Sequence, residues 1–127
     1  MTALAGALVA ALLVGHFLGD FTPLATARMQ EAKAAGGPLG PILEHAAIHA
    51  LITAAIVALI ARPDAGVVAL AGGIQLATHF VLDAGRGRAS RLYPALSDAG
   101  RQAFWTALGA DQLAHGLVLV WITTLVT

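Results

Sequence analysis

The run ALAGALVAALLVGHFLGDF, Ala3–Phe21, decides the fold. It is apolar, rich in small residues, and close to the ~20 residues that an α-helix needs to cross ~30 Å of hydrocarbon. Its end is not greasy: His16 and Asp20 stand four residues apart there. Three further apolar segments follow, over Ile42–Ala61, Ala65–Asp83 and Leu108–Val126. None has the period-2 alternation of a barrel strand. The expectation is therefore an all-α, polytopic membrane protein whose four transmembrane helices form one antiparallel bundle over residues 1–127.

Composition agrees with the bilayer as partner. Hydrophobic residues make up 58% and charged residues 11% of the chain, and the mean hydropathy is +0.81. Soluble domains carry about a quarter charged residues, so a water-soluble globule is excluded. Zero formal net charge gives no reason to expect nucleic acid. The absence of cysteine removes disulfides, thiolate nucleophiles and Cys-ligated metal. No Lys or Arg precedes the first apolar run, so that run reads as a span and not as a cleaved leader.

The connectors differ in length. ARPDAG, Ala61–Gly66, is a short reversal built on Pro63 and Gly66. Connector one holds TARMQEAKAAGG, a short interfacial helix stopped by Gly36 and Gly37. Connector three, Ala84–Ala107, opens with GRGRASR. There Ser97 is expected to cap a second interfacial helix, with Phe104 and Trp105 as aromatic anchors. Connectors one and three carry Arg28, Lys33, Arg86, Arg88, Arg91 and Arg101, six of the seven basic residues. The positive-inside rule puts them in the cytoplasm and both termini outside, across the inner membrane if the source is a bacterium.

The pair at His16 and Asp20 recurs. EHAAIH supplies His45 and His49, THFVLD supplies His79 and Asp83, and DQLAH supplies Asp111 and His115. Residues at i and i+4 share a helix face about 5–6 Å apart at Cβ, the spacing by which one helix offers two ligands to one metal. Antiparallel connection brings all four pairs to one end of the bundle. All five histidines and three of the seven acidic residues belong to the set. The competing reading is a purely structural His–Asp hydrogen-bond network. Against it stands the cost of burying carboxylates with no Lys or Arg inside the spans, a charge that metal ions would balance. Two divalent ions are expected. Imidazole and carboxylate without thiolate suit zinc, with iron or manganese as alternatives.

Other residues are ranked behind these eight. Glu44, beside His45, is the candidate general base, against a plain interfacial carboxylate at a helix start. Gln75 lies one turn before His79 on the same face. Gln30, Lys33 and Gln112 are polar and near the rim. Arg86 and Arg88 either face lipid headgroups or bind a phosphate.

GHFLGDF, Gln30 with Lys33, EHAAIH, HFVLDAGRGR and DQLAH together resemble a family of small bacterial integral membrane proteins of unknown function, over most of the chain. His79, Asp83 and Gly85 also resemble the His-x-x-x-Asp element of predicted membrane-bound metal-dependent hydrolases. Those in turn look like a helical zinc phosphoesterase group that includes phospholipase C and single-strand nucleases. That likeness implies a metal-dependent hydrolase acting on a phosphate ester or other amphipathic small molecule. The alternatives are a metal carrier or sensor, which four helices would need to build as a homo-oligomer, and a di-iron redox enzyme.

Overall fold

The computed structural model describes residues 2–127. Five α-helices follow in order: α1 (Ala3–Phe21), α2 (Ala27–Ala35), α3 (Leu39–Ile60), α4 (Ala65–Leu92) and α5 (Gln102–Val126), with a 3-10 turn at Pro94–Ser97 before α5. The fold is all-α, and α1, α3, α4 and α5 are long and apolar enough to cross a membrane.

Local chemistry sets several ends. Thr2, Thr26 and Asp64 each accept a backbone N–H in the first turn of α1, α2 and α4, the ordinary work of an N-cap. Gly36 ends α2 in the left-handed region, φ 71°, which glycine enters without a Cβ penalty. Arg62, at φ 52°, turns the chain between α3 and α4.

The four long helices close a ring in which α1 packs on α3 and α5, and α4 packs on α3 and α5. Short α2 lies across α3 and α4 at one end. Its seat on α4 is a backbone contact. A Cβ on Gly87 would strike the Lys33 carbonyl and come within 2.6 Å of Gly36 Cα.

Three expected boundaries are corrected. α3 starts at Leu39, one turn before Ile42. α4 does not stop at Asp83 but carries GRGRASR as helix to Leu92, because α2 packs along that extension. α5 starts at Gln102, before Leu108, so Phe104 and Trp105 belong to its first turn. Ser97 caps no helix. It closes the 3-10 turn, and the residue before α5, Arg101, makes no side-chain cap. Apolar windows locate hydrocarbon, and helices continue past it wherever a neighbour satisfies their polar end.

The interior is divided along the bundle axis. At the end bearing the termini, Leu8, Leu12, Val57, Ala71, Leu119 and Ile122 form a buried apolar core. At the other end the polar residues His16, Asp20, His45, His49, Gln75, His79, Asp83 and His115 are buried, beside apolar Met29, Ala32, Ile42 and Ala46. Large apolar side chains such as Phe17, Leu51, Leu59, Val81 and Leu117 point outward, as lipid requires.

Candidate metal centre

Two turns of each long helix build the polar half. The i, i+4 pairs put His45 and His49 on the inner face of α3 and His79 and Asp83 on that of α4, all at most 3% exposed. α1 contributes Asp20 and α5 contributes His115. Gly19 makes room for this: a Cβ there would lie 2.9 Å from His49 Nδ1 and closer still to Cε1 and Nε2.

The ligand atoms converge in two groups that share one residue. Asp20, His45, His49 and His79 each offer an atom within 4.8 Å of the others, and so do His79, Asp83 and His115. Asp20 Oδ1 lies 2.9 Å from His45 Nε2, 3.4 Å from His49 Nε2 and 3.9 Å from His79 Nε2. Asp83 Oδ2 lies 3.4 Å from His79 Nε2, and Asp83 Oδ1 lies 3.6 Å from His115 Nε2. Atoms bound at 2.0–2.1 Å to one ion sit about 2.9–3.4 Å apart, octahedral to tetrahedral. The shorter separations already have that size.

Hydrogen bonding fixes which nitrogens are free. His115 Nδ1 donates to the Asp111 carbonyl at 2.8 Å, so its Nε2 is a bare lone pair, and this lone pair faces a carboxylate. Gln75 lies 3.3 Å from His79 Nδ1 through its amide nitrogen while its amide oxygen has no partner. Turning the amide lets that oxygen accept the Nδ1 proton, which likewise leaves His79 Nε2 bare. The Nε2 atoms of His49, His79 and His115 are all buried without a hydrogen-bond partner. Acceptors that face acceptors in a buried site need a proton or a cation between them. The residues present thus fit a divalent ion, and the buried His/Asp groups can hold one.

Lys33 was expected at the rim, with no cation inside the spans. It reaches inside. Its Nζ lies 3.0 Å from Asp20 Oδ1, 3.2 Å from Asp83 Oδ2 and 3.0 Å from His45 Nε2. Burial alone would lower its pKa, but Asp83 and Asp20 more than offset that and leave it raised. Metal is therefore not the sole answer to the buried carboxylates, and it is the nitrogens without partners that still call for an ion. The signal was present in α2: Met29, Ala32, Lys33 and Gly36 form one i, i+3, i+4, i+7 stripe, with Met29 and Ala32 buried. A lysine in a buried stripe points inward with it.

The remaining candidates separate. His16 stands outside both groups, with Nε2 at 3.3 Å from Asp20 Oδ2 and from Gln112 Oε1, so it orients Asp20. The Asp111 side chain takes a bond from Gln112 Nε2 at 3.3 Å and lines a cavity, leaving its backbone to hold His115. Gln30 Nε2 donates to the Asp20 carbonyl at 3.1 Å. Arg86 donates to Ser90 Oγ and, at 2.9 Å, to the Leu96 carbonyl, tying the 3-10 turn to α4. Two candidates take the plainer of their two readings. Glu44 is half exposed and paired with Arg28, off the face of α3 that carries His45 and His49, because a neighbour in sequence is about 100° round the helix. Arg88 is exposed on α4 and does not line the cavity.

That cavity, of about 440 Å³, opens beside the cluster. Asp20, Gln30, Lys33, Arg86, Asp111 and Gln112 give it a polar side, and Phe21, Leu96, Phe104 and Leu108 an apolar one.

A family model described as Protein of unknown function (DUF3307) matches residues 8–127. Neither the curated proteins nor the solved structures give a match.

Proposed function

The chain belongs to that family of unknown function, and from the geometry we propose that it is a membrane-embedded, metal-dependent hydrolase of amphipathic phosphate esters. The observation that carries this reading is the bare His115 Nε2 facing Asp83, with the Nε2 atoms of His49 and His79 also buried near Asp20 and Asp83 without a hydrogen-bond partner. Asp20, His45, His49 and His79 would hold one ion; His79, Asp83 and His115 form the alternative, less complete set, since the single lone pair of His79 Nε2 serves one ion at a time. Zinc suits these ligands, with iron or manganese as alternatives. A bound zinc ion would supply Lewis acidity and a nucleophile at neutral pH.

The chain's own residues then divide the work. Lys33 and Arg86 give the cavity positive charge for an anionic head, while Gln30 and Gln112 offer amides. Phe21, Leu96, Phe104 and Leu108 receive an apolar tail. Asp111 takes over the proton-transfer role first given to Glu44, because it is the carboxylate at the cavity that is partly exposed, at 13%. Its neighbours Gln112 and His115 hold it in place. The six basic residues near this end argue for a cytoplasmic cavity.

The carrier reading meets an obstacle in the apolar core, where Leu8, Leu12, Leu119 and Ile122 close the other half of the bundle. The redox reading lacks the glutamates of di-iron bundles. Elemental analysis of protein purified without chelator is the first test, followed by hydrolysis of a chromogenic phosphate diester. Zinc retained, with activity lost to chelator and restored by zinc, supports the proposal. Iron with visible absorption moves the protein to the redox reading. Zinc without hydrolysis keeps the centre and removes the reaction.

A further inference from the structure

Lys33 touches both ligand groups at once. Its ammonium lies 3.0 Å from Asp20 Oδ1 and 3.0 Å from His45 Nε2, which belong to the first group, and 3.2 Å from Asp83 Oδ2, which belongs to the second. Any ion placed in either group must share a ligand residue with it. A divalent ion and an ammonium on the same carboxylates would set like charges a few ångströms apart in a buried site, where they are poorly screened. Each cation weakens the hold of the other.

Only the side chain needs to move. The backbone of α2 is held at its start by the Thr26 cap and at its end by the contact between Gly36 and Gly87. The four-carbon stem is flexible, and Lys33 already lines the cavity, with its side chain 19% exposed. We propose that Lys33 is a displaceable internal cation: it holds Asp20 and Asp83 together in the metal-free protein, gives them up to a divalent ion, and turns into the cavity. There it becomes the charge that meets the anionic group of the substrate. This rests on the metal reading and adds to it a role for a residue that is no ligand.

The chain contains a single lysine, so one side-chain amine reports the exchange. Purified protein in detergent is treated with an amine-acylating reagent, with and without zinc, and Lys33 is followed by mass spectrometry. Zinc should speed its labelling by tenfold or more. Inorganic phosphate, added after free zinc is removed, should slow labelling of the loaded form and leave the metal-free form unaffected. In parallel, Lys33→Met keeps the stem and removes the competitor. It should bind zinc at least tenfold more tightly than the wild type, while its metal-free form melts earlier. If the wild type binds zinc and labelling does not accelerate, or Lys33→Met binds no more tightly, the displacement is wrong and the metal centre stands. Labelling that phosphate fails to slow in the loaded form overturns the anion contact. If the wild type takes up no zinc at all, both readings fall.

Discussion

Gly19→Ala tests the centre without touching a ligand. The added methyl would sit 2.9 Å from His49 Nδ1 and closer to Cε1 and Nε2, against an ordinary carbon contact of ~3.5 Å or more. The imidazole must therefore retreat by about 1 Å, twice the ~0.5 Å tolerance of a working site. In the metal-free protein the move breaks no hydrogen bond at Nε2, and its cost is that of repacking the ring against His79, stacked at a centroid distance of 3.7 Å. With an ion bound the same move must also pull a ligand off it, adding a further ~1–3 kcal/mol of strain to the bound state. At 1.36 kcal/mol per factor of ten, zinc affinity should drop by roughly 5- to 150-fold. A competition titration with a chromophoric chelator in detergent measures this, and thermal melting of the metal-free form checks the fold. Gly116→Ala is the control, since it adjoins His115 but a Cβ there meets nothing within 4 Å. Unchanged zinc affinity in a folded Gly19→Ala protein would remove His49 from the ligand set and refute the reasoning.

Other expectations follow from the same contacts. His49→Ala and His115→Ala should each lower bound metal, and the double variant should cost less than the two together, since groups acting on one centre are not additive; strict additivity would separate them. Gln75→Leu, which frees the His79 ring, should weaken zinc binding by ~10–100-fold, and an unchanged titration would show that Gln75 does not orient it. Gly87→Ala drives a methyl into the Lys33 carbonyl and should lower the melting point even without metal, by ~1–3 kcal/mol of stability. Glu44→Gln, by contrast, breaks only an exposed ion pair with Arg28 and should shift stability by less than about 1 kcal/mol, with zinc binding intact. Cysteines placed at Ala34 and Ala89 should react with a reagent confined to the cytoplasm, and one at Ala65 should not; the reverse pattern would invert the proposed orientation.

The four long helices were legible because lipid demands long apolar windows, and α1 matches its window, Ala3–Phe21, end to end. The ends of α4 and α5 were not, because their polar turns are held by α2, by Arg86 and by the 3-10 turn, which are tertiary partners. The cluster was visible through one periodicity: His45 with His49 and His79 with Asp83 do lie on single inner faces. The same periodicity misled at Asp111, whose side chain turns to the cavity while its carbonyl serves His115. Adjacency was no guide at Glu44, since the next residue on a helix points about 100° away. Lys33 was hidden because its importance depends on how α2 folds back over α4, a contact that rests on two glycines with no side chain to betray it.

The division of the bundle into an apolar and a polar half has an electrical consequence. From Thr53 to the end of α3, and from the start of α4 to Gln75, about 10–15 Å of helix encloses the apolar core. A membrane potential falls where polarisable water is absent, so the expectation is that most of it drops across that half. Carrying one elementary charge through the full field involves about 2.3 kcal/mol per 100 mV. An ion that reaches the histidines through the cavity crosses little of this, however many charges it carries. Loading of the centre from that side should therefore be indifferent to whether the membrane is energised, and in proteoliposomes a valinomycin-imposed potassium potential should leave zinc occupancy where it was.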